Sequence, residues 1–206
     1  MRFEYETEGI DRAEFAADPI TQFKEWLKIA VEAELDEPNA MVVATVDGEG
    51  QPWSRFVLLK DVGEAGFSFF TNYESNKSNE LGLNPKCSLT FGWPELRRQI
   101  NVAGSAQRVS VEESDQYWDV RPRGSQLGGW ASNQSRELES RQELLDRYDD
   151  FDKANPDIVA RPDHWGGWVV APHMVEFWQG RTNRMHDRLR YRLESNAKWS
   201  LVRLAP

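Results

Sequence analysis

The sequence predicts an α+β protein that is mainly β: an antiparallel barrel or sheet with helices packed outside it. Strand-like runs outnumber helical ones. They follow one another instead of alternating with helices, as a doubly wound nucleotide-binding fold requires. Turn residues separate them at close spacing, the mark of an antiparallel meander. The chain has 206 residues, 39% of them hydrophobic and nine of them tryptophan. That is enough for one domain with a real core. Residues 1–17 show no periodicity and read as an N-terminal arm, and residues 18–206 read as a single domain.

The elements follow in order. In "DPITQFKEWLKIAVEAEL" Asp18 can cap and Pro19 suits a first helical turn. Ile20, Phe23, Trp26, Leu27, Ala30 and Val31 then recur at helical spacing, which predicts a helix to about Leu35. "AMVVATVD", "WSRFVLLKDV" and "GFSFFTNY" read as strands, the first two parted by the turn residues "GEGQP". "SNKSNELGLN" predicts a short helix with Ser75 as its cap and Asn84-Pro85 as its stop. "KCSLTFGW" and "RRQINVAGSAQRVS" resume strands, and Cys87 reads as a buried small residue. "VEESDQYWDV" is a helix halted at Arg121-Pro122, with Arg123 and Ser125 in a loop beyond it. "SRELESRQELLDRYDDFDK" is a charged helix with Leu138, Leu145, Tyr148 and Phe151 on one side. From Trp165 onward the pattern is strand-like again.

Composition removes several function classes. The formal net charge of −9 disfavours a nucleic-acid partner. No run approaches the roughly 20 apolar residues of a membrane span. The N-terminus lacks a signal peptide's apolar core, and one cysteine allows no disulfide within the chain, so a cytoplasmic location is expected. There is no G-x-G-x-x-G after a strand, no phosphate loop with Gly-Lys-Ser/Thr, no H-E-x-x-H pair and no G-x-S-x-G elbow. No metal site is predicted.

Four basic or polar clusters remain. The window "WQGRTNRMHDRLRYR" holds five arginines and one carboxylate. If it is a strand, Arg184, His186 and Arg188 share a face, continued by Arg190 and Arg192. It is either a solvated basic face or an anion site with a histidine between two guanidiniums. In "SRFVLLK", Arg55 and Lys60 flank an apolar strand core with different parity. In "YWDVRPRGSQLGGWASNQS", Tyr117 and Arg121 lie one helical turn apart, and Arg121, Arg123 and Ser125 either cap a helix or hold a phosphate. In "RRQINV", Gln99 faces either solvent or a polar ligand edge. Together they suggest two anionic groups held apart from an acidic surface, and periodicity does not name them.

The ordered set "ADPITQFKEWL", "AMVVATVDGEGQPWSRFVLLK", "FFTN", "RRQ", "RPRGSQLGGWAS", "EFWQG", "NRMHDR" and "RLAP" resembles the pyridoxamine 5′-phosphate oxidase family over nearly the whole chain. "FVLLK" alone would indicate only the wider flavin-binding split-barrel group. The resemblance implies a split β-barrel and a homodimer with FMN in the subunit interface. It also implies oxidation of pyridoxamine or pyridoxine 5′-phosphate by dioxygen to pyridoxal 5′-phosphate, with release of hydrogen peroxide. An oxidase-type C-terminal segment would run from about residue 164 to 206. By position, the FMN contacts would be Arg55, Phe56, Val57, Leu58, Leu59, Lys60, Phe70, Thr71, Asn76, Lys77, Gln99, Gln134, Ser135, Trp178 and Arg188. The substrate contacts would be Lys60, Tyr117, Arg121, Ser125, Arg184, Met185 and His186, with Arg2 and Tyr5 from a covering arm. Lys60, Tyr117, Arg121 and Ser125 would hold the substrate phosphate, and Arg184 and His186 would act at the reacting end. One position departs: the resemblance sets an arginine where this chain has Asn76. That exchanges a charge-assisted contact for a neutral one and predicts weaker FMN retention. Two rivals remain. One is another split-barrel flavin or deazaflavin reductase, which need not keep the clamp and the R-x-H triplet together. The other is a non-catalytic binder of flavin or pyridoxal phosphate.

Overall fold

The computed structural model describes residues 7–206. Arg2 and Tyr5 lie outside the described residues. Helix α1 spans Pro19–Glu32, and its start is as the sequence predicts: Asp18 accepts the N–H groups of Ile20 and Thr21, with proline in the first turn. The strands are β1 (Ala40–Val46), β2 (Pro52–Leu58), β3 (Asp61–Gly63) and β4 (Gly66–Asn72). After α2 (Asn76–Leu83) come β5 (Lys86–Trp93) and β6 (Arg98–Arg108). Helices α3 (Val111–Asp119), α4 (Arg123–Ala131) and α5 (Arg141–Ala154) precede β7 (Trp165–Gln179), β8 (Asp187–Leu193) and β9 (Trp199–Leu204). The strands form one antiparallel sheet, curled into a half-barrel, in the order β2-β1-β5-β6-β7-β4-β3, with β8 and β9 branching from β7.

The branch point is β7. One of its edges pairs with β6 from Trp168 to Gln179. The other takes β4 over Trp165–Val170 and β8 over Met174–Gln179. The sheet divides at Ala171–His173, where Pro172 has no N–H to donate and the register against β6 slips by one residue beside Gly104. Gly104 is required there, because a Cβ would fall 2.4 Å from the Ala171 carbonyl oxygen.

Two cores result. The inner face of the sheet sets Met41, Val43, Leu89, Phe91, Ile100, Val102, Val175 and Phe177 against Phe23, Trp26 and Ala30 of α1, all buried. Phe23 meets Phe67 at 4.9 Å and Phe91 at 4.8 Å. Ile10 and Phe15, from the segment read as an arm, pack on this core, and Tyr191 Oη donates to the Ala16 carbonyl at 2.7 Å. Cys87 is buried, and burial pushes its thiol up to about 12. A smaller core of Trp118, Leu127, Val159 and Trp165 lies under α3, α4 and α5.

Four local expectations are corrected. Arg123 and Ser125 do not lie in a loop: α3 ends at Asp119, ahead of Arg121-Pro122, and Pro122 is the N-cap of α4, whose Leu127 and Ala131 are buried. Packing there outweighs three helix-weakening glycines, Gly124, Gly128 and Gly129. The last helix starts at Arg141 instead of near Ser135. Ser140 accepts the Glu143 N–H, while Ser135 is left-handed at φ +70° and Leu138 stays outside, 42% exposed. Ser75 occupies the N-cap of α2 without capping it; its hydroxyl donates to the Asn72 carbonyl at 2.7 Å. Finally, Thr182–Arg184 is a 3-10 turn and β8 begins only at Asp187. Strand parity therefore relates Arg188, Arg190 and Arg192, and does not extend to Arg184 and His186.

Candidate active site

A cleft of about 390 Å³ collects half of the predicted residues. The end of β2 supplies Phe56, Val57 and Leu58, and the following turn Lys60. Strand β4 gives Phe70 and Thr71, α2 gives Lys77, the last turn of α3 gives Tyr117, and the bend after it gives Arg121. Ser125 of α4 and Gln134 complete it. Local chemistry places each side chain. Ser110 and Glu113 form a capping box that fixes where α3 begins. Tyr117 and Arg121 then emerge one turn apart at its end, where Pro122 redirects the chain into α4.

The cleft floor is an aromatic stack. Phe70 lies 4.1 Å from Tyr117 and 5.5 Å from Trp165, with the rings within 20° of parallel. The Arg121 guanidinium sits 4.5 Å from the Trp165 ring centre, and Lys60 Nζ 5.9 Å from that of Tyr117. Arg121 Nη2 donates to the Ser125 carbonyl at 2.9 Å. Its Nε is buried and finds no partner among the described residues. Burial pushes this guanidinium below its ordinary value. A buried, unmatched donor beside a lysine and a serine suits an anionic ligand.

A second polar seat adjoins it. Lys77 Nζ, 9% exposed, donates to Thr71 Oγ1 at 3.0 Å and to Gln134 Oε1 at 2.8 Å. Burial pushes Lys77 down to about 8, Arg55 adds to that and Glu80 opposes it. Arg55 Nη2 pairs with Glu80 Oε2 at 3.0 Å. The backbone N–H of Asn76, in the first turn of α2, donates to Ser135 Oγ at 3.3 Å, and Ser135 holds its left-handed backbone there. Leu59 points into the main core at 5% exposure, so any ligand contact it makes is through its backbone. The donors of this seat and the planar apolar wall beside it fit a phosphorylated aromatic group.

The remaining residues form a separate group that does not line this cleft. Gln99 of β6 is the cross-strand neighbour of Trp178 of β7. The Trp178 and His186 rings lie 4.7 Å apart. His186 Nδ1 accepts the Arg181 backbone N–H at 3.0 Å, which leaves Nε2 to carry the proton in the neutral ring. Asn183 and Arg184 are both left-handed, at φ +54° and +59°, a strained turn that lifts Arg184 and Met185 into solvent. Arg188 Nε donates to Glu176 Oε1 at 2.9 Å, and Arg190 makes two bonds to Glu176 Oε2, at 2.9 and 2.8 Å. Arg190 is thereby tied to Glu176 and is not simply solvated.

Sequence reasoning missed Trp165, Glu80 and Glu176. Trp165 stood in a strand-like run with no sign of its stack. The two glutamates carried one signal, a periodic one: Glu80 lies one helical turn from Lys77, and Glu176 stands between Val175 and Phe177, all three buried in β7. Among the described residues no group of three or more His, Cys, Asp or Glu is placed to hold a metal ion. None of the described helices is long and apolar enough to cross a membrane.

Residues 27–152 match the family model described as pyridoxamine 5′-phosphate oxidase. Residues 165–206 match that of a pyridoxine 5′-phosphate oxidase C-terminal dimerisation region. The chain is 47% identical to the pyridoxine/pyridoxamine 5′-phosphate oxidase of Cupriavidus pinatubonensis over 100% of its own length and 97% of the relative's. It is 48% identical to that of Nostoc punctiforme, with the same coverage. Among solved structures it is similar to PhzG from Burkholderia lata 383, crystallised with tetrahydrophenazine-1-carboxylic acid. The TM-score is 0.92 at 30% identity, covering 99% of this chain and 100% of that one. A pyridoxamine 5′-phosphate oxidase-related FMN-binding protein of Nostoc punctiforme shares the fold, with a TM-score of 0.74 at 17% identity, covering 93% of this chain and 100% of that one.

Proposed function

The chain belongs to the pyridoxamine 5′-phosphate oxidase family, and from that membership we propose that it oxidises pyridoxamine or pyridoxine 5′-phosphate to pyridoxal 5′-phosphate. FMN is the cofactor. It supplies the two-electron chemistry between the substrate's 4′ carbon and dioxygen, with release of hydrogen peroxide, and of ammonia from the amine.

The observation that carries this reading is the cleft in which two adjoining cationic seats, Lys60 with Arg121 and Lys77, stand beside an aromatic stack. Lys60, Tyr117, Arg121 and Ser125 hold the substrate phosphate, and the orphaned Arg121 Nε is one of its donors. Lys77, Thr71, Gln134, Ser135 and Arg55 hold the phosphate of FMN. Anchoring one end of a small substrate over a planar partner removes orientational freedom from the barrier. Arg184 stabilises negative charge at the reacting end, and His186 moves a proton through Nε2.

Arg184, His186, Trp178 and Arg188 lie on the segment that matches a dimerisation region, outside the cleft of their own chain. We read the working unit as a homodimer in which one subunit's cleft is closed by the other subunit's Trp178–Arg188 wall.

The likeness to PhzG favours one other reading, oxidation of an unphosphorylated ring acid on the same backbone. The phosphate clamp argues for the B6 vitamer. The test is to purify the protein, record its flavin spectrum and assay aldehyde and peroxide under air. Turnover of pyridoxamine 5′-phosphate but not of pyridoxamine supports the proposal. A flavoprotein inert to both pyridoxamine 5′-phosphate and pyridoxine 5′-phosphate overturns it.

A further inference from the structure

The Lys77 seat contains one carboxylate that the proposed mechanism does not use. Glu80 follows Lys77 by one turn on the same face of α2 and is 6% exposed. Its Oε2 takes Arg55 Nη2 at 3.0 Å and the hydroxyl of Thr45, itself 1% exposed. Arg55 Nη1 closes the triangle on the same hydroxyl. A buried carboxylate is costly unless paired and hydrogen-bonded, and here Arg55 and Thr45 are those partners, Arg55 standing next in sequence to Phe56 of the cleft lining. Two physical effects follow. Arg55 sits on an edge strand and has many rotamers; the triangle leaves it few. Arg55 also stands close enough to Lys77 to disfavour its charge, and Glu80 offsets that. The charged or titratable groups facing Lys77 are Arg55 from β2 and Glu80 from its own helix, with Lys60, Tyr117 and Arg121 across the cleft. Thr71, Ser75 and Gln134 are uncharged.

We propose that Glu80 is a positioning residue for the flavin phosphate: it fixes the guanidinium of Arg55 and is the counter-charge that lets Arg55 and Lys77 stand side by side as two ordered cations. The inference rests on the FMN reading above. It is tested on apoprotein titrated with FMN, by quenching of flavin fluorescence, from about pH 6 to about pH 10. In the unaltered protein the affinity is expected to be greatest near neutral pH, to weaken toward about pH 6 as the flavin phosphate takes up its second proton, and to fall as pH rises through about 8, the value to which burial pushes Lys77. Glu80→Gln keeps the shape and an acceptor oxygen but removes the charge. Its FMN Kd rises about tenfold at neutral pH, and the alkaline break moves to lower pH. Glu80→Asp keeps the charge but loses the reach: its Kd rises while its break stays in place. Glu80→Gln that binds FMN as tightly as the unaltered protein, or that breaks at the same pH, overturns the proposal. If Glu80→Gln does not fold by circular dichroism, Glu80→Asp decides, and an unchanged Kd there is equally fatal. An unaltered protein that quenches no flavin fluorescence overturns the FMN reading and this inference with it, whereas a variant that binds as the unaltered protein does overturns this inference alone.

Discussion

Asn76 is exposed at the first turn of α2, and its backbone N–H is one hydrogen bond from Ser135 of the proposed FMN seat. An arginine at this helix start would add a charge-assisted contact to a phosphate, worth about 1 kcal/mol more than a neutral one. Asn76→Arg is therefore expected to tighten FMN about fivefold by fluorescence titration, and unchanged affinity would remove any role for this position. Arg184→Ala is expected to lower turnover by about a hundredfold while the flavin content of the purified protein stays near normal. Equal loss of both would reassign Arg184 to the cofactor or to folding. At this scale the sequence spoke unevenly. Tyr117 and Arg121 were legible as a pair because helical spacing alone puts them on one face. Glu80 and Glu176 were not, because the partners that bury them stand on other strands. Arg184 and His186 were grouped for a reason the backbone does not support: two consecutive left-handed residues have no signature in a run without glycine.

At the scale of elements, α1 and the places of the strands along the chain were readable from capping and alternation; α4 and the order of the strands in the sheet, where β4 pairs with β7 and β1 with β5, were not. Helix α4 exists because Leu127 meets Trp118 and Trp165, a tertiary fact that overrides weak propensity. The β6–β7 slip depends on one small residue. Gly104→Ala would push a methyl group into the Ala171 carbonyl, and is expected to cost about 1–3 kcal/mol in urea unfolding. Gly82→Ala, where a Cβ meets nothing within 4 Å, is the control and should be neutral or slightly stabilising. A Gly104→Ala protein as stable as its parent would mean that the bulge tolerates a larger shift than this packing allows.

For the whole molecule, the separation of the two walls has a measurable consequence. Arg121→Ala disables the cleft and Arg184→Ala disables the other wall, so each homodimer should be nearly inactive. Heterodimers of the two, co-expressed with different tags, place both defects in one site and leave the other intact, so about half of the normal activity should return. No recovery would mean that both walls serve the same chain. Neither the spacing nor the composition of the sequence could say which chain closes which cleft. Strand β7 is paired along both edges for most of its length, but at Ala171–His173 β4 has ended, β8 has not begun, and the register with β6 slips. Its amides should accordingly trade protons with deuterated solvent in two slow blocks with a quick notch between them. The half of the strand that carries Trp178 could then loosen and re-form without melting the half that braces the aromatic floor.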